Sequence, residues 1–381
     1  MLEKFLTLLH GYFRKLDKQL FFAVLLLGAF SVLLLYSMDK NGILAGGYKM
    51  QAVTFGLGAA AALIISALDY RKFTKLWVLF APACIILCLL TFTSLGYRPN
   101  EYNDDVAWLD LGFTTVQPSE FLKLAFIMTF ALHLSKVKEH LNSFGNIILL
   151  CIHAAVPMAI IFLQGDDGTL IIVALIFLSM LFAAGLSWKY IIPAIVVSPA
   201  AIWAAWNYVM ADYQKARFLV LFTDYEGNEA LETVAYQQEK GLLALGSGKI
   251  TGNGLFAEQY VYVPEIQNDF IFTYIGETLG FVGCIATIAV LGYVSMKLIA
   301  DSRIAKDDLG KFLCIGVWAL IFFHCVLNLG MVMFITPVIG VPLPFVSQGG
   351  TAMLSMFAGI GIVMSTYSHS EKIYRVFYDY E

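Results

Sequence analysis

Residues 263–280 read Val-Pro-Glu-Ile-Gln-Asn-Asp-Phe-Ile-Phe-Thr-Tyr-Ile-Gly-Glu-Thr-Leu-Gly, and the chain changes character within them. Upstream lies the longest polar loop, roughly 210–269. Downstream an apolar run continues to about Met296. Asp269 stands at the seam. A carboxylate at a water–lipid boundary is partly desolvated, which raises its pKa and suits a general base near neutral pH. Asp is also a common helix N-cap, and capping is the competing role for this residue.

Composition extends the membrane reading to the whole chain. Of 381 residues, 59% are hydrophobic and only 14% charged, with a mean hydropathy of +0.76. Soluble domains carry about 25% charged residues. Apolar runs near 20 residues recur, as membrane-spanning helices require. Cys84, Cys88, Cys151, Cys284, Cys314 and Cys325 all fall inside apolar runs and form no Cys-x-x-Cys pair. They read as small buried hydrophobes, not as a disulfide framework or a zinc site.

Working outward from the seam gives ten spans: Leu20–Tyr36, Met50–Leu68, Leu76–Thr93, Pro118–Leu134, Ile147–Leu163, Thr169–Ala184, Tyr190–Val209, Phe270–Met296, Phe312–Ile335 and Thr351–Tyr367. The expected fold is an all-α integral membrane protein, a single polytopic domain over 1–381. Residues 1–19, with Lys4, Arg14, Lys15 and Lys18, read as an interfacial segment followed by a retained anchor. Residues 368–381 form a tail. Most of the 24 Lys and Arg fall on the side shared by the two termini. That side is therefore expected to be cytoplasmic, in the cytoplasmic membrane. The 94–117 loop, the 164–168 turn, the 210–269 loop and the 336–350 loop then face outward.

Unusual chemistry gathers on the outward side. Glu120 and Lys123, spaced i, i+3, share one face of the fourth span. Ionisable groups inside a span face protein or a water-filled cavity and mark function; a purely structural ion pair is the alternative. Asp166 and Asp167 open the sixth span. Glu277 follows Asp269 by eight residues, about 80° around a helix. The long loop supplies Arg217, Lys240, Ser247 and Lys249 among glycines. Its Gly246-Ser-Gly-Lys-Ile-Thr-Gly252 run fails the Walker A pattern at Leu243 and Ile250. Exposed N–H groups and cations there suit a pyrophosphate, and an ordinary surface loop is an equal alternative. The Gly340–Gly350 stretch has no charge, two prolines and adjacent glycines. Irregular backbone at this depth must be buried in protein or line a cavity, so a re-entrant segment is expected.

Taken together, several motifs resemble the SEDS family over nearly the whole chain. They are Trp108-Leu-Asp-Leu-Gly112, Gln117-Pro-Ser-Glu120 with Lys123, Tyr213-Gln-x-x-Arg217, Gly246-Ser-Gly248, Asn268-Asp-Phe270 with Glu277-x-Leu-Gly280, and Gly340-Val-Pro-Leu-Pro344 with Ser347-x-Gly-Gly350. The cell-shape branch of the family is the nearest. The resemblance implies a ten-helix peptidoglycan glycosyltransferase that polymerises lipid II at the outer membrane face. It implies pairing with a class B penicillin-binding transpeptidase and with other membrane proteins of the elongation complex. The family's essential aspartate matches Asp269. Trp108, Asp166, Ser347 and Gln348 join Glu120, Lys123, Arg217, Lys240, Ser247 and Glu277 as substrate-binding candidates. The chain departs from the family pattern at Ala107 (usually Arg), Gly165 (usually Pro), Lys240-Gly241 (often Gln-Ser) and Gln348 (often Tyr).

The implied chemistry is inverting transfer. Asp269 takes a proton from a sugar hydroxyl while the oxygen attacks the anomeric carbon, and undecaprenyl pyrophosphate leaves from the opposite face. The transition state is oxocarbenium-like, and Arg217, with Lys123 or Lys240, would stabilise the leaving charge. No cofactor motif is evident, no residue pattern assigns a divalent cation such as Mg or Mn, and nothing points to nucleic acid. The competing functions are a lipid II flippase, which would use the buried charges as a path, a scaffold for wall synthesis, and the division-specific relative of the same family.

Overall fold

The computed structural model describes residues 11–12, 14–98, 105–112 and 114–370. The expected tail beyond Ser370 and most of the expected N-terminal interfacial segment lie outside them. Twelve helices of eight or more residues organise the described chain: α1 (Lys18–Lys40), α2 (Gly47–Ala67), α3 (Trp77–Leu90), α4 (Pro118–Val137), α5 (Phe144–Gln164), α6 (Asp167–Ala184), α7 (Trp188–Tyr208), α8 (Asp212–Leu219), α9 (Glu229–Ser247), α10 (Ile271–Ile304), α11 (Asp308–Val332) and α12 (Gly350–Ser368). Each expected span has its helix, with ends displaced by up to eight residues. Nine helices among the described residues are long and apolar enough to cross a membrane. The exception among the ten, α4, has 20 residues, about 30 Å of helix. Its charged groups lower its hydropathy, and it can hold them because most of its surface is buried in the bundle.

The turns follow from local chemistry. Gly165 and Gly185 end α5 and α6 in the left-handed conformation, and Asp166 and Ser187 then cap the next helices through their side chains. Gly165 has φ 79°, a conformation that Pro cannot adopt. Pro118 occupies the first turn of α4, where its missing N–H is not needed. The α2–α12 pair approaches closely through small residues: a Cβ on Gly361 would lie 2.9 Å from Ala62 Cα. The α11 helix packs against α4, α6, α10 and α12 and anchors the core. By contrast, α7 has no buried residue.

Two features depart from the expected loops. The 94–117 stretch holds a small antiparallel sheet, β1 (Gly96–Tyr97), β2 (Trp108–Asp110) and β3 (Thr115–Val116), with Tyr97 opposite Trp108 and Leu109 opposite Val116. The polar 210–269 segment is largely helical, as α8 and α9. Ala235, Gln238, Gly241 and Ala244 on α9 recur at i, i+3 spacing and are buried, and the helix packs on α10.

The α10 helix is broken at Gly280, with φ 65° and ψ −163°. The 249–254 segment fills the break. Asn253 and Gly254 N–H groups donate to the Glu277 and Thr278 carbonyls at 2.9 Å each, while Phe281 and Val282 N–H groups donate to the Lys249 and Ile250 carbonyls at 2.8 and 3.1 Å. Four backbone groups at the break thus regain partners, as a membrane interior demands. The glycines permit the approach: a Cβ on Gly248 would fall 2.0 Å from Gly276 O, and one on Gly280 2.5 Å from Ile250 O. Gly280→Ala is expected to lower the melting temperature, combining about 1–3 kcal/mol of left-handed backbone strain with a steric clash. Gly292→Ala, in the same helix with nothing near its Cβ position, is expected to be neutral. Equal melting of the two variants would show that the break is not structurally demanding.

Candidate functional site

Asp269 lies one residue before the Phe270 N-cap position of α10, and no side chain caps that helix. The capping role is therefore absent, and the angular relation to Glu277 does not hold, because Asp269 is outside the helix. Its position comes from backbone clips. Asn328 of α11 donates from Nδ2 to the Asp269 carbonyl at 2.8 Å and to the Val341 carbonyl at 2.7 Å. Ser347 Oγ donates to the Asn268 carbonyl at 2.6 Å and accepts from Leu343 N–H. Gln348 N–H donates to the Gln267 carbonyl at 2.9 Å. The 263–269 loop is thereby fixed to the 340–350 segment, whose floor is held by buried Gln51 through Ser347 O and Gly349 N.

Among the described residues no donor binds the Asp269 carboxylate. A Cβ on Gly340 would sit 3.6 Å from Asp269 Oδ2, and Gly340 has φ 68°; the glycine keeps that flank uncrowded. The Asp269 residue is half-buried. Desolvation, with repulsion from the carboxylates of Glu265 and Asp166, pushes its pKa up to about 7.

Asp166 connects this carboxylate to the buried charges of α4. It accepts from Thr169 N–H and from Gln117 Nε2 at 2.7 Å. Burial raises its pKa, and it senses both Lys123 and Glu120. Lys123 is fully buried and donates to Glu120 Oε1 at 2.7 Å. Glu120 Oε2 accepts from Ser355 Oγ at 2.8 Å. His324 completes the cluster: its Nδ1 lies 2.7 Å from Leu320 O and must donate to it, so Nε2 accepts from Lys123 at 3.2 Å. His324, Ser355 and Asn328 were not among the sequence candidates. A histidine and an asparagine inside an apolar span were the available signals.

The remaining candidates are distributed around this centre. Arg217 on α8 is half-buried and stacks over Tyr213 at 5.6 Å. Its helix joins the 164–168 turn through Gln214 Nε2 to Asp167 at 2.6 Å. Lys240 on α9 lies over Tyr236, and a Cβ on its neighbour Gly241 would touch the Phe270 ring at 3.0 Å. Trp108 is in β2, and Val106 N–H donates to Gln164 O at 2.8 Å, joining the sheet to the same turn. Ser247 and Glu277 are occupied elsewhere. Ser247 Oγ donates to Ala244 O, and Glu277 Oε1 accepts from Val261 N–H at 2.7 Å beside the α10 break. The glycine-rich 246–252 run packs into that break and presents no open cradle of N–H groups. Among the described residues no three His, Cys, Asp or Glu side chains converge on a metal-holding geometry.

The family model described as cell cycle protein, FtsW/RodA/SpoVE, matches residues 17–372. The chain is 31% identical over 363 residues to the peptidoglycan glycosyltransferase MrdB of Escherichia coli K12, covering 94% of this chain and 95% of that one. It is 29% identical over 377 residues to the probable peptidoglycan glycosyltransferase FtsW of Bacillus subtilis, covering 91% and 89%. In fold it resembles a chain of a solved peptidoglycan synthase complex that coordinates polymerization and crosslinking (TM-score 0.76, 22% identity, covering 92% and 97%). It also resembles the rod shape determining protein RodA of Thermus thermophilus (TM-score 0.67, 23% identity, covering 93% and 98%). The chain is a multi-pass membrane protein of the FtsW/RodA/SpoVE family.

Proposed function

We propose that this protein is a peptidoglycan glycosyltransferase that polymerises lipid II during cell elongation, with Asp269 as general base. One observation carries the reading: a carboxylate with a pKa of about 7 stands without a hydrogen-bond partner among the described residues, in a frame of backbone clips that fixes its position. A structural aspartate would use its oxygens as acceptors. This one keeps them for an incoming proton.

The acceptor hydroxyl loses its proton to Asp269 as its oxygen bonds to the donor's anomeric carbon. The bond to undecaprenyl pyrophosphate breaks on the opposite face, giving inversion. The local field near Asp269 is negative, because Asp166 and Glu265 face it and Lys123 is already paired with Glu120. A departing pyrophosphate needs further positive charge, which we assign to Arg217 and Lys240. Trp108, Asp166, Ser347 and Gln348 shape the sugar and peptide positions. Ser247 and Glu277 support the loop packed in the α10 break. Both termini are assigned to the cytoplasm and the site to the outer face, from the distribution of Lys and Arg. The partner is a class B penicillin-binding transpeptidase, and the fold shared with a chain of a peptidoglycan synthase complex supports that pairing.

The test is gel-resolved glycan product from labelled lipid II, made by the purified protein with its transpeptidase in detergent, where no leaflets exist. Polymer is expected from the wild type, and Arg217→Ala is expected to cut the rate by at least about tenfold, the loss of one charge-stabilising contact. Absence of polymer, together with Asp269-dependent movement of lipid II across liposomes, would assign the protein to transport instead.

A further inference from the structure

A cavity runs along α4 on the side that faces α3 and α5. It occupies about 420 Å³ between α3, α4 and α5, with walls that include Trp77, Pro82, Phe126 and Pro157, a size usual for ligand sites. Lys136 lines one end. It is sixteen residues beyond Glu120 on α4, about 24 Å along the axis, so this end of the cavity is the one away from Glu120, while Leu122 and Ala125 line its other end.

The polar groups in this cavity form an ordered set. Thr129 Oγ1 donates to the Ala125 carbonyl at 2.9 Å and pairs with His153 Nε2 at 3.0 Å. His153 Nδ1 pairs in turn with His133 Nδ1 at 3.1 Å, with the two rings stacked. His133 Nε2 is left over and has no partner among the described residues. A proton on that nitrogen would make it a donor without disturbing the other two bonds. Lys136 also has no carboxylate partner among the described residues, and it stands one turn beyond His133 on the same face of α4. No Asp or Glu lines the cavity. Lys72 and Lys75 precede Trp77 at the same end, against Glu139 on the α4 side. Lys138 is engaged by Asp308. The groove is thus mostly apolar, with the Thr129–His153–His133 set on its wall and the Lys136 cation at one end.

We propose that this groove binds an anionic phospholipid of the leaflet at that end, with an acyl chain between α3, α4 and α5 and the phosphate on Lys136 and His133. Basic pockets between membrane helices select anionic headgroups in this way. The shape excludes a small free anion, because most of the groove offers only apolar contact.

The full-length protein, delipidated in detergent, is titrated with phosphatidylglycerol or with phosphatidylcholine of the same acyl chains, and retained lipid is counted by native mass spectrometry. One phosphatidylglycerol is expected to be retained in preference to phosphatidylcholine. Lys136→Gln and His133→Leu are each expected to weaken that preference about fivefold. Ala81→Phe, which fills the groove, should remove retention of both lipids, while melting measurements confirm that each variant is folded. Inorganic phosphate should not displace the lipid; displacement would mark a free-anion site and overturn the proposal. Equal retention of the two lipids would leave the groove to a partner's apolar helix, and that too would overturn it. So would undiminished preference in the Lys136→Gln/His133→Leu double variant.

Discussion

Asp269→Asn is expected to abolish glycan polymerisation while leaving the protein folded and able to bind its transpeptidase. The amide is nearly isosteric and no helix cap depends on the side chain, so lost activity would report lost basicity. A positioned general base contributes about 10²–10⁴-fold, and a fall of that size is expected in a single-turnover assay. The pH profile supplies an independent check. The base works only when ionised, so kcat/KM of the wild type should rise with pH through an apparent pKa near 7.

Stability should move the other way. The Asp269 pKa is raised in the folded protein, so its protonated form favours folding. That contribution is fully present below the unfolded value of about 4 and is lost as pH rises through about 7. Asp269→Asn should therefore melt higher than wild type at pH 8, with the difference vanishing at acid pH. Near-normal polymer from the Asn variant, or a flat pH profile, would remove Asp269 from the chemistry.

The spans were legible in the sequence because length and hydropathy are dictated by the bilayer. The Glu120–Lys123 contact was legible because helical spacing alone brings i and i+3 together. Other features depend on tertiary approach, which local pattern does not encode. Gly280 sits in an apolar stretch where a glycine gives no sign of a break; the break exists because residues 249–254 supply the missing hydrogen bonds. The 246–252 glycines suggested an open anion cradle, yet their small size serves close packing against α10. The i, i+3 recurrence of Ala235, Gly241 and Ala244 with Gln238 on α9 was the overlooked sign that the polar segment is helical. Ser355 and His324 join the buried charges from α12 and α11, far along the chain. No spacing rule could have paired them with α4.

Removing either charge of the Glu120–Lys123 pair is expected to cost both stability and activity. Both side chains are buried, and an isolated charge left in such a place costs about 3–5 kcal/mol. In Lys123→Ala, Glu120 would keep only the Ser355 hydroxyl on Oε2, and His324 Nε2 would lose its donor. In Glu120→Gln the shape is kept, but Lys123 loses its counter-charge and retains only neutral partners. Melting should fall in both. The double variant Glu120→Gln/Lys123→Met separates structure from function. It removes both charges in side chains of similar volume, a change that is often neutral or stabilising for buried pairs. Its melting temperature should return toward wild type. Polymerisation should not return, because the cation next to Asp166, and the field it adds across the Asp166–Asp269 side of the site, would be gone. Recovery of turnover along with melting would show that the pair only locks α4 into the bundle. Wild-type melting and turnover in both single variants would make the pair peripheral to fold and reaction alike.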